Sequence, residues 1–367
     1  MRILAVTTWF PTAVAPSSGA FVVRDVHAIA SRGHDVDVVH LVPPHQDDGT
    51  RRTVHEGIRV VRVPMSTTRP DQIAAAARAL APLLEGADVV HSMAFSSLLP
   101  LSLRRPRAPW VHTEHWSGLT SPENLPRSWR VLLPVLRRLL ARPDVATAVC
   151  EFLATPLREV RATRETVVVP CIVPVPEPVP ARPERGPRLR LVDVGGLIDR
   201  KDPLLAVETV AELDRRGVPA ELALVGEGEL RDQVTARVAE LGLTNRVRLT
   251  GSLHAAGVLD ELARADLFLG PTRGDNFFVS AAEALVAGRP VVVGATGGQG
   301  EYIRPEVGEL VDVQDAGAYA DAVLRVDAAT AGLSAQEISD TVGQRFSVAA
   351  VAAGYDDAYD RARRVRR

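Results

Sequence analysis

At 367 residues the chain is about twice the length of a typical domain, so two domains sharing a cleft are expected. Its 46% hydrophobic content is enough for two cores, whereas 4% aromatic residues and a net charge of −2 argue against a nucleic-acid partner. Cys150 and Cys171 are the only cysteines and form no CxxC pair, and no apolar run approaches the ~18 residues of a membrane span.

Met1 leads straight into a strand-like run, RILAVTT, with no apolar leader, so the expected location is cytoplasmic. Short apolar runs then alternate with amphipathic stretches. Strands are expected at 2–8, 36–42, 58–64, 87–92, 109–115, 144–150 and 166–170, and helices at 20–32, 71–84, 127–141 and 151–160. This alternation predicts βαβ units and a parallel sheet covered on both faces. The proline-dense stretch VPVPEPVPARPERGPR cannot enter a central strand and reads as a stiff, solvated linker. After it, LRLVDVG, AELALVG, RVRLTG, ADLFLGP, PVVVG and GELVDV predict a second sheet, with helices starting near Pro203, Glu229, Ala255, Val279 and Asp315. The expected organisation is a first domain over 1–172, a linker over 173–188, a second domain over 189–350 and a C-terminal helix over 351–367.

Ligands of such sheets sit outside the carboxyl ends of the strands. In VDVGGLIDRKDP, Gly195 and Gly196 close a strand and Lys201, the chain's one lysine, stands before the helix opened by Pro203. Glycines allow close approach of an anion, a helix N-terminus offers free N–H groups and a lysine adds a compact charge, so this loop suits a phosphate. A solvated surface lysine is the plainer alternative. In GPTRGDNFFVSAAEAL, Asp275 precedes a helix and Glu283 lies on its second turn, so both border one pocket where carboxylates can bind sugar hydroxyls. The alternative is a turn cap and a paired helix residue.

Other candidates carry less. Asp35, Val36 and Asp37 spell a DxD triplet, yet they alternate with buried valines and precede no acidic cluster. His112 and His115 are spaced for opposite faces at a strand end, which does not suit a metal. The first 172 residues carry an excess of basic side chains and 173–350 an excess of acidic ones, which favours an anionic acceptor or a membrane surface unless the charges are simply solvated. RSWRVLLPVLRRLLAR is a basic amphipathic helix able to meet anionic lipid, although packing of its leucines on the sheet is the simpler expectation.

The lysine loop, the carboxylate-x7-Glu spacing, AGRPVV and GGQGEY together resemble family 4 of the retaining glycosyltransferases, as do FPTAVAPSSGAFVVRD, DVVHSMAFSSLLPL and WVHTEHWSG in the first half. The resemblance implies a GT-B fold, two Rossmann-like α/β domains facing across a cleft. It also implies metal-free hexosyl transfer from a nucleotide sugar to a hydroxyl, with no other cofactor. Lys201 would bind the donor diphosphate, Glu283 the ribose and Asp275 the transferred sugar. The amides of Asn276, Phe277, Phe278 and Val279 would line that pocket, His115 would face the anomeric centre, and Gly19 would meet the phosphates. The chain departs from the family in having Gly196 in place of arginine, Asp275 in place of glutamate, Phe278 in place of glycine and Cys171 in place of asparagine. Arg200 is the candidate replacement cation, and Phe278 is expected to add bulk beside the sugar. A catalytically silent binding relative and a sugar-nucleotide epimerase of the same architecture are the alternatives.

Overall fold

The computed structural model describes residues 1–16, 18–122 and 127–367, and the chain forms two compact units. Unit 1 comprises Met1–Ile172 with Val348–Arg367, and unit 2 comprises Val173–Ser347.

Unit 1 contains β1 (Arg2–Thr7), β2 (Asp35–Val42), β3 (Arg52–His55), β4 (Ile58–Pro64), β5 (Val89–Met93), β6 (Trp110–Glu114), β7 (Val145–Ala148) and β8 (Thr166–Val168). They form an eight-stranded sheet in the order β3-β4-β2-β1-β5-β6-β7-β8, parallel except for β3. Strand order reverses at β1, because β2 pairs on one side of it and β5 on the other. The helices between them are α1 (Ala20–Ser31), α2 (Pro70–Leu84), α3 (Leu98–Leu103), α4 (Arg127–Leu136) and α5 (Glu151–Arg161). Two elements lie outside the sequence expectation. RTVH holds a single strand-forming aliphatic residue, Val54, which is 65% exposed at the sheet edge, and Glu56 and Gly57, both at positive φ, turn it into β4. The short α3 lies within an apolar run too brief to show a period.

Unit 2 repeats the plan with β9 (Leu189–Val194), β10 (Ala220–Val225), β11 (Val247–Gly251), β12 (Leu267–Gly270), β13 (Val291–Gly294) and β14 (Gly308–Val311), ordered β11-β10-β9-β12-β13-β14 and all parallel. Here the reversal falls at β9. Its helices are α6 (Pro203–Arg215), α7 (Arg231–Glu240), α8 (Ala255–Arg264), α9 (Val279–Val286), α10 (Ala316–Ala329) and α11 (Ala335–Asp340). The proline-rich stretch is not a free linker. The Val173 N–H donates to the Phe346 carbonyl, the Arg182 guanidinium to the carbonyls of Thr330 and Leu333, and buried Arg289 to those of Pro180 and Ala181, so the strap is fastened along unit 2.

The last helix, α12 (Val348–Val365), returns to unit 1. Its buried stripe of Val351, Ala352, Tyr355, Ala358, Tyr359 and Ala362 has the period of one helix face and enters the same core as Ile3, Val26, Val38 and Val89. The Asp356 carboxylate accepts from Arg32 (2.8 Å) and His34 (2.7 Å) and fixes the helix register.

In α4 the packing expectation fails for two apolar residues. Leu132 and Val135 are 54% and 61% exposed, whereas Leu140 in the turn that follows is buried.

Candidate active site

The loops after β9 and β12 leave adjacent strands at the reversal of unit 2, where a crevice forms by topology alone. After β9 the chain makes a short turn at Asp199–Lys201, and Asp202, at φ 51°, hands over to α6. The carbonyl of Arg200 accepts from the Arg273 N–H (2.9 Å) and the Thr272 hydroxyl (3.1 Å), and the Arg273 guanidinium pairs with Asp202 (2.9 Å). The two loops are therefore stitched into one body, and three charges converge on it. Asp275 Oδ2 lies 2.8 Å from Lys201 Nζ and accepts from Arg200 Nη1 at 2.7 Å, while Arg200 also donates to the Gly274 carbonyl at 2.8 Å. Asp275 Oδ1 accepts from the amides of Phe277 (3.4 Å) and Phe278 (3.1 Å). Burial alone would raise the Asp275 carboxyl, but the Lys201 ammonium and the Arg200 guanidinium hold it below the ordinary carboxylate range.

The loop after β13 completes the frame. Asp275 bridges Gly297 in parallel register, and a Cβ at Gly297 would come within 1.9 Å of the Asp275 carbonyl, so only glycine fits there. Gly195 and Gly196 behave differently. A Cβ at either would meet nothing closer than 3.6 Å, so packing does not require them to be glycine.

Phe278 does not project beside a sugar as its size suggested. It caps α9 at φ 56° and ψ 65°, a left-handed conformation unusual for a bulky residue. Its ring is 1% exposed, packs against Phe268 and Gly270, and lies beneath Lys201 Nζ at 3.7 Å from the ring centroid. The turn is held by Tyr302, whose hydroxyl contacts the carbonyls of Phe277 (2.9 Å) and Phe278 (2.8 Å). Val279 begins α9, Asn276 is buried in the loop before it, and Glu283 lies within the helix, half-buried.

Sequence reasoning missed Asp193, a buried residue of β9 within the field of Lys201. Burial pushes its carboxyl up to about 7 against the pull of Lys201. The signal was an acid amid the apolar residues of LRLVDV.

His115 and Gly19 lie in unit 1. His115 follows β6, its ring 4.7 Å from that of Phe21 and its Nε2 3.8 Å from Asp25 Oδ2. The fully buried Glu114 carboxylate accepts from the amides of His115 (3.0 Å) and Trp116 (2.8 Å) and contacts His112 at 3.2 Å, which fixes this turn. Burial lowers His115 to about 4, so the ring is neutral near pH 7. Gly19 caps α1 at φ 69°, and a Cβ there would meet the Trp9 carbonyl at 2.3 Å. Backbone packing thus accounts for this glycine. Asp35 and Asp37 of the DxD triplet both accept from Arg59, at 2.7 and 2.5 Å.

Comparisons with known proteins agree with this layout. Residues 18–171 match the model of a glycosyl transferase 4-like domain, and residues 188–327 match that of glycosyl transferases group 1, so the two together span most of the chain. The chain belongs to the family 4 glycosyltransferases. It is 30% identical over 217 residues to the 2-deoxystreptamine glucosyltransferase of Streptomyces kanamyceticus, a match over 54% of this chain and only 56% of that protein. It is 26% identical over 314 residues to the GDP-mannose-dependent alpha-(1-6)-phosphatidylinositol monomannoside mannosyltransferase of Mycolicibacterium smegmatis, covering 80% of this chain and 81% of the relative. Among solved structures, sucrose-phosphate synthase from Thermosynechococcus elongatus superposes with a TM-score of 0.81 over 98% of both chains at 20% identity. The fold is GT-B, and this family 4 transferase is an enzyme of glycosyl transfer.

Proposed function

We propose that this enzyme transfers a hexosyl group from a nucleoside-diphosphate sugar held by unit 2 to an acceptor hydroxyl, with retention of anomeric configuration and without a metal ion. The observation that carries the reading is the convergence of Lys201 and Arg200 on one carboxylate oxygen at the strand reversal of unit 2. Two cations already gathered around an anion suit a diphosphate, and Gly195 and Gly196 put no side chain between such a ligand and the backbone. GDP-mannose in the name of one relative supports a nucleotide-sugar donor.

As the nucleoside diphosphate leaves, charge builds on the phosphate oxygens, and Lys201 and Arg200 stabilise it in place of a metal. Arg200 supplies the cation missing at Gly196. Glu283 takes the ribose hydroxyls and Asp275 a hydroxyl of the sugar, once the diphosphate replaces the carboxylate at the two cations. The amides of Asn276 and Val279 line the sugar pocket with those of Phe277 and Phe278; in unit 1, Gly19 keeps the phosphate role and His115 the role near the anomeric centre that the family resemblance implies. A second surface reading rests on α4, where exposed Leu132 and Val135 beside Arg130, Arg137 and Arg138 suit weak contact with anionic lipid.

Incubation with UDP-glucose or GDP-mannose and a panel of acceptors tests the reaction. Nuclear magnetic resonance of the product should show the donor's anomeric configuration, and the rate should persist in excess EDTA. An inverted product overturns retention. Loss of activity with EDTA that Mg²⁺ or Mn²⁺ restores overturns the metal-free step.

A further inference from the structure

The carboxyl ends of β1, β2, β4, β5 and β6 surround a groove of about 760 Å³ in unit 1, within the range of small-molecule sites. Among the described residues its lining contains no Asp, Glu, Lys or Arg. Several arginines of this half of the sequence are paired elsewhere, Arg59 with Asp35 and Asp37, Arg62 with Asp48 and Arg158 with Glu151. A phosphate or carboxylate entering the groove would lose water without meeting a lysine or arginine among these residues, with only the imidazoles of His45 and His115 to face it.

Aromatic faces line it instead. Trp9 is 47% exposed, the one aromatic residue among the large exposed apolar side chains of the described residues. Its backbone is nevertheless fixed. Its N–H donates to Thr7 Oγ1 at 3.0 Å, its carbonyl sits against Gly19, and its ring lies 6.4 Å from Phe21. Trp116 is held as firmly, 4.9 Å from Phe95 and so close over Gly118 that a Cβ there would come within 2.3 Å of the indole. Among the polar lining groups are the hydroxyls of Thr8, Ser66, Ser96 and Ser117, the amide of Gln46 and the imidazole of His45.

We propose that this groove binds the acceptor as an uncharged, saturated ring carrying several hydroxyls, a pyranoside or a cyclitol, with one C–H face laid on the Trp9 indole. The face of an aromatic ring is electron-rich, and the weakly positive C–H hydrogens of a saturated polyol ring complement it. Neutral hydroxyls and an amide exchange hydrogen bonds with ring hydroxyls in either direction, whereas a purely apolar ligand would leave them unpaired. Because the Trp116 indole is packed in place and the Trp9 backbone is held, part of the ordering cost of binding is already met.

The assignment rests on unit 2 being the donor side, and the test separates the two. Methyl α-glucoside, myo-inositol, glucose 6-phosphate and 4-nitrophenol are offered to the full-length enzyme with UDP-glucose or GDP-mannose, and their binding without donor is followed by tryptophan fluorescence. A neutral ring should bind and react in preference to its phosphate by about tenfold or more. Trp9→Ala should raise the acceptor KM by about tenfold, the expected scale for one stacking contact, with Trp9→Phe in between. If no donor is used but neutral rings quench fluorescence in the wild type and not in Trp9→Ala, the groove assignment stands and the transfer reading fails. If transfer occurs and glucose 6-phosphate or 4-nitrophenol is preferred, or Trp9→Ala leaves the acceptor KM unchanged, the groove assignment is overturned.

Discussion

Unit 1 and unit 2 put their candidate sites at the same point of the same kind of sheet, outside the strand ends where strand order reverses, yet the two sites differ in almost every atom. In unit 2 the loops bring an ammonium, a guanidinium and a carboxylate into mutual contact. In unit 1 the loops present indoles and hydroxyls, and the acids Asp25 and Glu114 lie buried beneath them. The sheet decides where a ligand goes, and the loop residues decide its charge. A further groove of about 720 Å³ at the amino ends of β9, β10 and β11 shows the contrast from another side. Its Arg190, Arg246 and Arg248 are spent on Asp266, Asp214 and Glu261.

The largest expected effect tests the charged site. Lys201→Ala should reduce kcat/KM by roughly 2–4 kcal/mol of transition-state stabilisation and weaken the free nucleoside diphosphate as well. Asp275→Ala should part from it. The family resemblance places that carboxylate on the sugar and predicts a nearly unchanged affinity for the bare diphosphate, but the ion pairs to Lys201 and Arg200 predict that its removal frees both cations. Affinity for the bare diphosphate should then rise about tenfold while transfer falls, as read by calorimetric titration and initial rates. Equal weakening of both ligands would undo the division of this site into two ends.

The two units should also respond to acid in opposite directions. Burial lowers His40, His91 and His115 to about 4, 3 and 4, so folded unit 1 binds fewer protons than the unfolded chain below pH 6.5 and loses stability as pH falls. Burial pushes Asp25 up to about 7, against its hydrogen bond to Tyr355 and the charge of Arg24, which partly offsets the loss. In unit 2, Asp193 also rises to about 7 with no such histidines opposing it, so its stabilisation is present near pH 4 and is lost as pH rises through 7. From pH 7 to 5, unit 1 should lose and unit 2 should gain about 3 kcal/mol each, since one pKa unit is about 1.4 kcal/mol. Peptide-resolved hydrogen exchange reads the two separately. Asp193→Asn should abolish the gain in unit 2, and parallel slopes in both units would refute the contrast.

The smallest effect concerns α4. Co-sedimentation with vesicles containing phosphatidylserine should fall about twofold in Leu132→Ser/Val135→Ser, and no binding by the wild type removes the lipid reading.

The alternation of strand and helix was legible because each central strand is a continuous apolar run. Edge strand β3 was not, since an edge needs only one side chain, Val54, to be strand-like. Lys201, Arg200 and Asp275 were legible as candidates because they follow strand ends, but their direct pairing was not, because spacing in sequence does not say that two loops leave neighbouring strands. Phe278 was misjudged for a related reason. Its backbone takes the left-handed turn a glycine would take, and that turn carries its ring into the core under Lys201. Asp193, Glu114 and Asp25 escaped notice because a lone acid in an apolar stretch has no pattern until its neighbours in space are known.

The stripe of α12 bears on how this protein comes off the ribosome. Tyr359 reaches His91 Nδ1 at 2.8 Å, and Tyr355 hydrogen-bonds Asp25, so the last helix supplies both core volume and polar partners to the unit begun at Met1. Those residues are synthesised after every residue of unit 2. A nascent chain that has emerged only as far as Ser347 holds a complete second unit and a first unit with an open slot along α1, its Asp25 and His91 without their phenol partners. Domains fold as units once their whole sequence is available. On that principle the core of the first unit cannot close until α12 has followed the whole of unit 2 and brought Val351, Tyr355 and Tyr359 to it.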